Sequence, residues 1–498
     1  MIFFDLSFAN VYQQYLLCRK NKRNTVNALR FEVVQEQELL RLTDELQNRT
    51  YTPSRSVCFF ASRPKLREIF AADFRDRIVH HILVDYLEQI FEPIFIEQSF
   101  ACRKGKGVHA GVKTLQKHCR KVSCNGSKPA YFMQLDIANY FMSIDKTILF
   151  SLLNKHVNDA NALWLTKLLV FHDCTENFTL KGNLELLKAI PAHKTLINTP
   201  NGKGLPIGNL NSQFFANVYL NALDQFIKHQ LKCRYYVRYC DDFVLLANSE
   251  QQLHDWRIKI ADFLQTELTL TLHKKQLIAP INNGINFLGY IIRYHYMLVR
   301  RRVVNHLKEK LNSFKCKLVV QYKEKVYYYF DEKILDQLHA VLNSYLGHFK
   351  LANTVKLECS LWQNNAWLKG YFEQPSNENK KLIRKYKTPK QFVNVKQQYN
   401  YFRWRFNELE GKKIIVLFQV GKFIEFYHQQ DKFIATLLGL KPISENKRGA
   451  LFGFPLTKLP VVMRALLVKG YACCFVKQSD IIFNKVMQRK PSWIRYYI

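Results

Sequence analysis

Two acidic positions set in otherwise apolar, strand-like stretches constrain this chain more than any other feature. One is Asp136 in FMQLDIANYFMSID, and the other is the Asp241-Asp242 pair in VRYCDDFVLLA. A carboxylate at the end of a buried apolar strand is costly unless a partner offsets its charge. Two adjacent aspartates at a hairpin turn send one carboxylate to each side of the strand. If Asp136 lies beside Asp241, the cluster repels itself in the absence of a cation. Mg²⁺ suits such a cluster, because it is hard, prefers oxygen and binds through a few carboxylates plus substrate phosphates. Two such ions about 3.5–4 Å apart lower the barrier to in-line phosphoryl transfer from both sides. Taken singly, Asp-Asp reads as a plain turn and Asp136 as a helix N-cap. Their joint occurrence, in this order and with these flanks, favours a catalytic cation site.

Charge narrows the partners. Lys plus Arg number 74 against 40 for Asp plus Glu, a formal charge of +34 over 498 residues. Such a surplus calls for a polyanion, with nucleic acid first and an anionic membrane surface second. The chain also carries 37 Phe and 26 Tyr, and aromatics within basic surface suit single strands and heteroduplexes, although most Phe belongs in cores. No apolar run reaches the roughly 18 residues of a spanning helix. The N-terminus starts apolar but has an early Asp5 and no basic n-region, so no signal peptide is expected. The 12 cysteines include no C-x-x-C pair, which argues against a zinc ribbon or redox motif and for reduced thiols in a cytoplasmic protein.

Periodicity divides the chain. Residues 1–50 read as a helical extension, with Leu39, Leu42 and Leu46 on one face. Val57–Phe60 reads as a strand, and residues 74–91 as a helix with Ile78, Ile82, Tyr86 and Ile90 in register, stopped by Pro93. Residues 131–137 form a buried strand, 205–231 a turn and long helix, and 235–247 and 285–302 hairpin strands. Residues 303–370 look helical, with leucines at 307, 311, 335, 338, 342 and 346. A basic linker with Pro389 is expected within 376–400. Residues 401–498 read as a small α/β unit with a strand at 414–420 and a helix at 459–470 closed by Gly470.

FMQLDIANYF resembles the first catalytic motif of reverse transcriptases, and RYCDDFVLLA resembles their Tyr-x-Asp-Asp hairpin. The resemblance covers about residues 10–370 in order. It implies an α+β right-hand fold: fingers and palm over 51–302 and a helical thumb over 303–375. Asp136, Asp241 and, less directly, Asp242 would be catalytic carboxylates and metal ligands with the Ile137 carbonyl, holding two Mg²⁺ ions, with Mn²⁺ as the alternative. Phe141, five residues after Asp136, would be the steric gate that selects deoxynucleotides; its plainer role is core packing. Arg67 lies ten residues before Arg77, the spacing of the fingers motif, so Arg67 and Lys65 would hold the incoming triphosphate. Arg103, Lys104 and Lys106 in ACRKGKGVHAG would follow a template or primer backbone, with an ordinary basic loop as the alternative. Lys275, beside Lys274, would sit near the leaving pyrophosphate. FLGY (287–290) resembles the primer-grip hairpin.

The segment around 191–226 is more specific. Ile207-Gly208 followed by Ser212-Gln213 is similar to the motif of diversity-generating retroelement reverse transcriptases, where most relatives have Gln-Gly and Ser-Pro. RDRIVHH, ACRKGKG and LNSYLGHFKLAN agree with that family. It implies nucleotide contacts from Ile207 and Gly208 and nucleic-acid contacts from Ser212 and Gln213. It also implies a template RNA, cDNA synthesised from dNTPs with errors concentrated at adenines, and a separate small basic accessory protein. Ile207 offers only apolar contact where a Gln would hydrogen-bond, which weakens discrimination between pairs. A defence-associated reverse transcriptase and a non-catalytic nucleic-acid scaffold are the alternatives.

The stretch 414–478 resembles the first domain of the MutS mismatch-repair family, through Gly421-x-Phe423-x-Glu425, Gly453-Phe454-Pro455 and the helix into Lys469-Gly470-Tyr471. That resemblance implies that Phe423 wedges beside a mispaired base and Glu425 contacts its edge. No Walker-type Gly-Lys-Ser/Thr loop occurs, so no ATP-driven cycle is expected. Removal of 401–498 is expected to spare polymerisation.

Overall fold

The computed structural model describes residues 3–20, 25–62, 65–182, 185–322, 325–373, 382–385, 392–410, 414–443 and 449–497. Two compact units divide the chain at Met297/Leu298.

In the first unit, the N-terminal helices Phe8–Arg19, Val26–Val33 and Gln35–Gln47 surround the helix Phe74–Phe91. Leu39, Leu42 and Leu46 are buried, as their spacing predicts. The Asp73 side chain caps the long helix by accepting the Arg75 N–H at 3.1 Å. A three-stranded sheet, Arg67–Ala71, Ser56–Ala61 and Phe178–Leu180, precedes and flanks the central sheet in sequence.

The central sheet has the strand order Tyr235–Tyr239, Asp242–Ala247, Tyr131–Asp136, Leu277–Pro280, all antiparallel. Phe132, Met133 and Leu135 on one inner strand and Phe243–Leu246 on the other are buried, so these strands read as continuous apolar runs covered on both faces. The helix Glu250–Leu268 packs on the two inner strands, and Val108–Val122 packs on the edge strand. Both inner strands end in acidic residues, and Asp136 stands directly opposite Asp242.

In the second unit, the helices Arg301–Leu318, Glu332–Phe349 and Val355–Asn364 pack through Leu307, Leu311, Leu335, Leu338 and Leu342. The all-helical expectation for 303–370 fails at one place: Val319–Tyr322 and Lys325–Tyr329 are strands. VVQY and KVYYY are β-branched and aromatic, and they join a larger sheet instead of extending the helix. Lys325–Tyr329 pairs with the last strand, Val486–Tyr497, in a seven-stranded sheet. That sheet also contains Ala472–Phe483, Ile414–Val420, Phe423–Phe426 and Phe452–Pro455. Ile414–Val420 runs parallel to Ala472–Phe483, the α/β arrangement expected of 401–498.

Most of the expected basic linker, including Pro389, lies outside the described residues. Of the remainder, Ile383–Arg384 pairs with Phe372–Glu373, and a helix already starts at Val395. No helix among the described residues is long and apolar enough to cross a membrane. All 12 cysteines are free thiols.

Candidate active site

The turn between the strands Tyr235–Tyr239 and Asp242–Ala247 has two residues, Cys240 and Asp241. Cys240 takes a φ of 59°, the positive value that the first position of a type II′ hairpin turn requires. This tight turn directs Asp241 toward the end of the neighbouring strand, where its carboxyl shares a hydrogen bond with that of Asp136. Asp242, the first residue of its strand, accepts at Oδ1 from Gln134 Nε2 at 3.0 Å. Gln134 also donates to the Asn286 carbonyl at 3.2 Å, which ties this corner to the strand Ile285–Phe287.

The electrostatics follow from burial. Asp241 is pushed up to about 6 by burial and by the adjacent Asp136 charge, with Arg67 pulling the other way. Asp242 is pushed up to about 7, again chiefly by burial, against the hydrogen bond from Gln134. Asp136 is raised by burial, while His273 and Lys65 favour its ionised form. Three acids therefore meet at one sheet end, and the cations Lys65 and Arg67 act on two of them from the strand Arg67–Ala71 and the bend before it.

Among the described residues, no group of three or more His, Cys, Asp or Glu side chains is arranged as a ready metal cluster. Asp136 and Asp241 touch, whereas Asp242 is engaged by Gln134. This two-carboxylate set fits an Mg²⁺ ion completed by substrate phosphates and water. The bridge between Ile137 and Leu272 is made by Ala138 N–H to Thr271 O, 2.9 Å, and His273 N–H to Asp136 O, 2.7 Å. The bridge therefore leaves the Ile137 carbonyl unused.

Behind the turn, Arg238 is fully buried and grips Asp224 at 2.6 and 2.8 Å. It also donates to the Cys240 carbonyl at 3.1 Å, and Tyr236 Oη donates to Asp224 at 2.8 Å. This network fixes the turn from inside. Gln134, Arg238, Asp224 and His273 escape sequence reasoning, because isolated polar residues in strands, helices or loops carry no spacing signature. An arginine within an apolar strand, two residues before the turn, is the one signal that could have pointed inward.

The other sequence-derived residues divide. Phe141 is half-buried beside the Tyr140 ring, at 5.6 Å between centroids. Its carbonyl accepts from Leu205, just before Ile207-Gly208. The Ile207 carbonyl accepts the Phe70 N–H at 3.0 Å, which lays this segment against the strand of Arg67. Gly208 has a φ of +126°, and a Cβ there would fall 2.8 Å from Ile69 Cγ2 and 2.9 Å from the Phe70 oxygen, so only Gly allows the approach. Ser212 is buried and Gln213 exposed on the following helix. Lys274 and Lys275 are exposed beyond His273, whose Nδ1 accepts from the Lys275 N–H at 3.1 Å.

Arg103 has a different task from the one expected. Its side chain is 4% exposed, and its guanidinium pairs with Glu92 at 2.8 Å and donates to the carbonyls of Ile96 and Ser99. It braces its own loop. Lys104 pairs with Glu88 at 2.6 Å and Lys106 with Glu97 at 2.5 Å. In the second unit, Phe423 is 49% exposed at a hairpin tip, whereas Glu425 is buried and accepts from Tyr427 Oη. Glu425 is thus covered and engaged by Tyr427, while Phe423 on the same strand face stays exposed.

Comparison with known proteins agrees with this geometry. Residues 61–292 match the reverse transcriptase (RNA-dependent DNA polymerase) family, and residues 390–491 match MutS domain I. Protein YkfC of Escherichia coli (strain K12) is 26% identical over 321 residues, covering 56% of this chain and 78% of that protein. The group II intron-encoded protein LtrA of Lactococcus lactis subsp. cremoris is 24% identical over 369 residues, 61% of this chain and 57% of LtrA. Nuclear intron maturase 1, mitochondrial, of Arabidopsis thaliana is 29% identical over 107 residues, 21% of this chain and 14% of its own length. The carboxylate-bearing hairpin and these matches agree on a reverse transcriptase-type domain over residues 61–292, which supports RNA-directed DNA polymerase activity, followed by a MutS domain I-like domain.

Proposed function

We propose that this chain copies a template RNA into adenine-mutagenised cDNA as the polymerase of a diversity-generating retroelement. The polymerase reading rests on one observation above all, the Asp136–Asp241 contact at the end of the central sheet with Lys65 and Arg67 acting on it. Divalent ions held there, Mg²⁺ first and Mn²⁺ as the alternative, would activate the primer hydroxyl and neutralise the pyrophosphate. Arg67 and Lys65 hold the triphosphate against the acidic corner, Arg67 through paired contacts and Lys65 as a point charge. Gln134 holds Asp242 still, and Arg238 holds the turn. Phe141 would exclude a ribose 2′-hydroxyl by its bulk, and Lys275 lies on the loop that follows the Asp136 bridge. Asp241→Asn should lower primer extension by about 10³-fold or more, the several kcal/mol of a metal-bound transition state. Retained extension would sink the reading.

The retroelement assignment rests on Ile207, Gly208, Ser212 and Gln213. Ile207 lies where the chain passes the fingers strand, and its side chain brings no hydrogen bond to a base pair. Ile207→Gln should lower adenine misincorporation, read by deep sequencing of cDNA made on the co-encoded RNA; an unchanged error spectrum would overturn this assignment. The accessory protein belongs to the same proposal. A second reading, an intron-type reverse transcriptase, is favoured by the likeness to the intron-encoded relatives. Errors spread evenly over the four bases would favour it. The exposed Phe423 supports stacking at a mismatch, and Phe423→Ala in the full chain should erase any preference for mismatched over matched duplex.

A further inference from the structure

A second basic feature lies at the other end of the central sheet's edge strand. Tyr235 begins that strand and Tyr239 ends it beside the Asp241 turn, so Tyr235 lies roughly 13 Å along the strand from the turn, at about 3.3 Å per residue. Around Tyr235 is a cleft of about 610 Å³. Its wall is one face of the helix Val108–Val122, with Ala110, Thr114, Lys117, His118 and Lys121 at helical spacing. Lys106, Lys228 and Arg234 complete a set of five cations against a single carboxylate, Glu97, which is already paired with Lys106. Among the described residues, Lys117, Lys121, Lys228 and Arg234 have no ion-pair partner.

The cleft has a built floor. His118 is 9% exposed, and its buried Nδ1 has no hydrogen-bond partner. Burial, aided by the charges of Lys228, Lys121 and Lys117, holds the imidazole down at about 4, so it is neutral near pH 7. Its ring lies 5.5 Å from that of Tyr235, whose other neighbour is the Arg234 guanidinium at 5.7 Å. His118 lines the cleft with a neutral ring that can hydrogen-bond a ligand group. A phosphodiester chain satisfies the cations, and a ribose 2′-hydroxyl, both donor and acceptor, satisfies a neutral imidazole.

We propose that this cleft is a second RNA-binding site, apart from the catalytic carboxylates, in which the lysines hold the phosphate backbone and His118 contacts a ribose. The inference rests on the reading of the chain as an RNA-copying enzyme. It gives that enzyme an anchor for RNA that is not being copied at that moment.

The test uses the full chain and the triple variant Lys117→Ala/Lys121→Ala/Lys228→Ala. Binding of a 20-nucleotide single-stranded RNA, of DNA of the same sequence and of polyglutamate is followed by fluorescence anisotropy across salt. RNA affinity should fall about tenfold or more, and the slope of log K against log salt should flatten by about 2, from three contacts at about 0.7 each. Extension of a short, pre-annealed primer–template at saturating concentration should stay within about twofold, which separates this site from the polymerase reading. His118→Phe, checked for an unchanged melting temperature, should narrow the preference for RNA over DNA. Unchanged RNA affinity and slope in the triple variant would overturn the proposal. Extension lost together with binding would put the lysines in the catalytic channel and overturn it equally. Polyglutamate bound as tightly as RNA, and lost in the variant, would make an acidic protein segment the occupant and overturn it too.

Discussion

Asp241 occupies a turn that a non-glycine residue, Cys240, enters at positive φ, and such positions persist only when their surroundings over-determine them. Here Arg238 supplies that determination from below and Asp136 from the side. The three aspartates were legible in sequence because an acid rarely ends a buried apolar strand, and still more rarely do two such sites occur in this order. Arg103 was misleading because a basic, Gly-interrupted stretch looks like a backbone-tracking loop. The fold brings Glu92 and two carbonyls to it, contacts that no spacing rule announces. Glu68, next to Arg67 in sequence, is another residue visible only in the structure. Burial pushes it up to about 7 from an ordinary 4.5, although the Leu196 N–H donates to it at 3.1 Å. The folded state therefore holds the Glu68 proton more tightly than the unfolded chain, and stability falls as pH rises from about 4.5 to about 7. Glu68→Gln keeps an acceptor for Leu196. It should stabilise the protein by at most about 3 kcal/mol above pH 7 and by almost nothing near pH 4.5. Urea melts at the two pH values check this; an equal gain at both would contradict it.

At the scale of elements, the Asp241-bearing hairpin depends on the helix Leu210–Gln225, which supplies Asp224 near its end. The Arg238–Asp224 pair is wholly buried, so removing one partner leaves an uncompensated charge. Arg238→Met should cost about 3–5 kcal/mol and slow extension by loosening the Cys240 carbonyl. Arg238→Met combined with Asp224→Leu should recover much of the stability and none of the turn geometry. Thermal unfolding and primer extension on the same preparations separate the two effects. The strands themselves were readable, since residues 131–137 and 235–247 are apolar runs bounded by turn residues. The strands at 319–329 were not, because regular leucines on both sides extend a helical pattern across them. Their β-branched and tyrosine content was the signal available, and the pairing with Val486–Tyr497 decided the outcome.

At the scale of the whole molecule, that pairing changes what the C-terminal segment does. The strand Lys325–Tyr329 borrows its partner from the last twelve-residue strand, so residues 401–498 complete a sheet begun some seventy residues earlier. Truncation at 400 leaves an open, tyrosine-rich edge within the second unit. Limited proteolysis should then cut between 319 and 330, and the unit should lose its cooperative melting transition. Primer extension by the truncated chain then reads whether polymerisation is spared or falls with the stability of the second unit. The charge of +34 predicts a second global property. If six to ten phosphates are contacted, affinity for an RNA–DNA hybrid should drop by about 10³–10⁵ between about 50 and 200 mM salt, and a flat response would refute an electrostatic channel. By itself, the sequence determined the acidic motifs, their order, the basic character and the two family likenesses, because residue type and local period carry that information. Tertiary structure alone decided that Asp242 pairs with Gln134, that Arg238 braces the turn, that Glu425 is buried and that the strands Val319–Tyr322 and Lys325–Tyr329 enter a distant sheet. Each of those depends on groups remote in sequence, whose meeting is set by packing and burial rather than by local pattern.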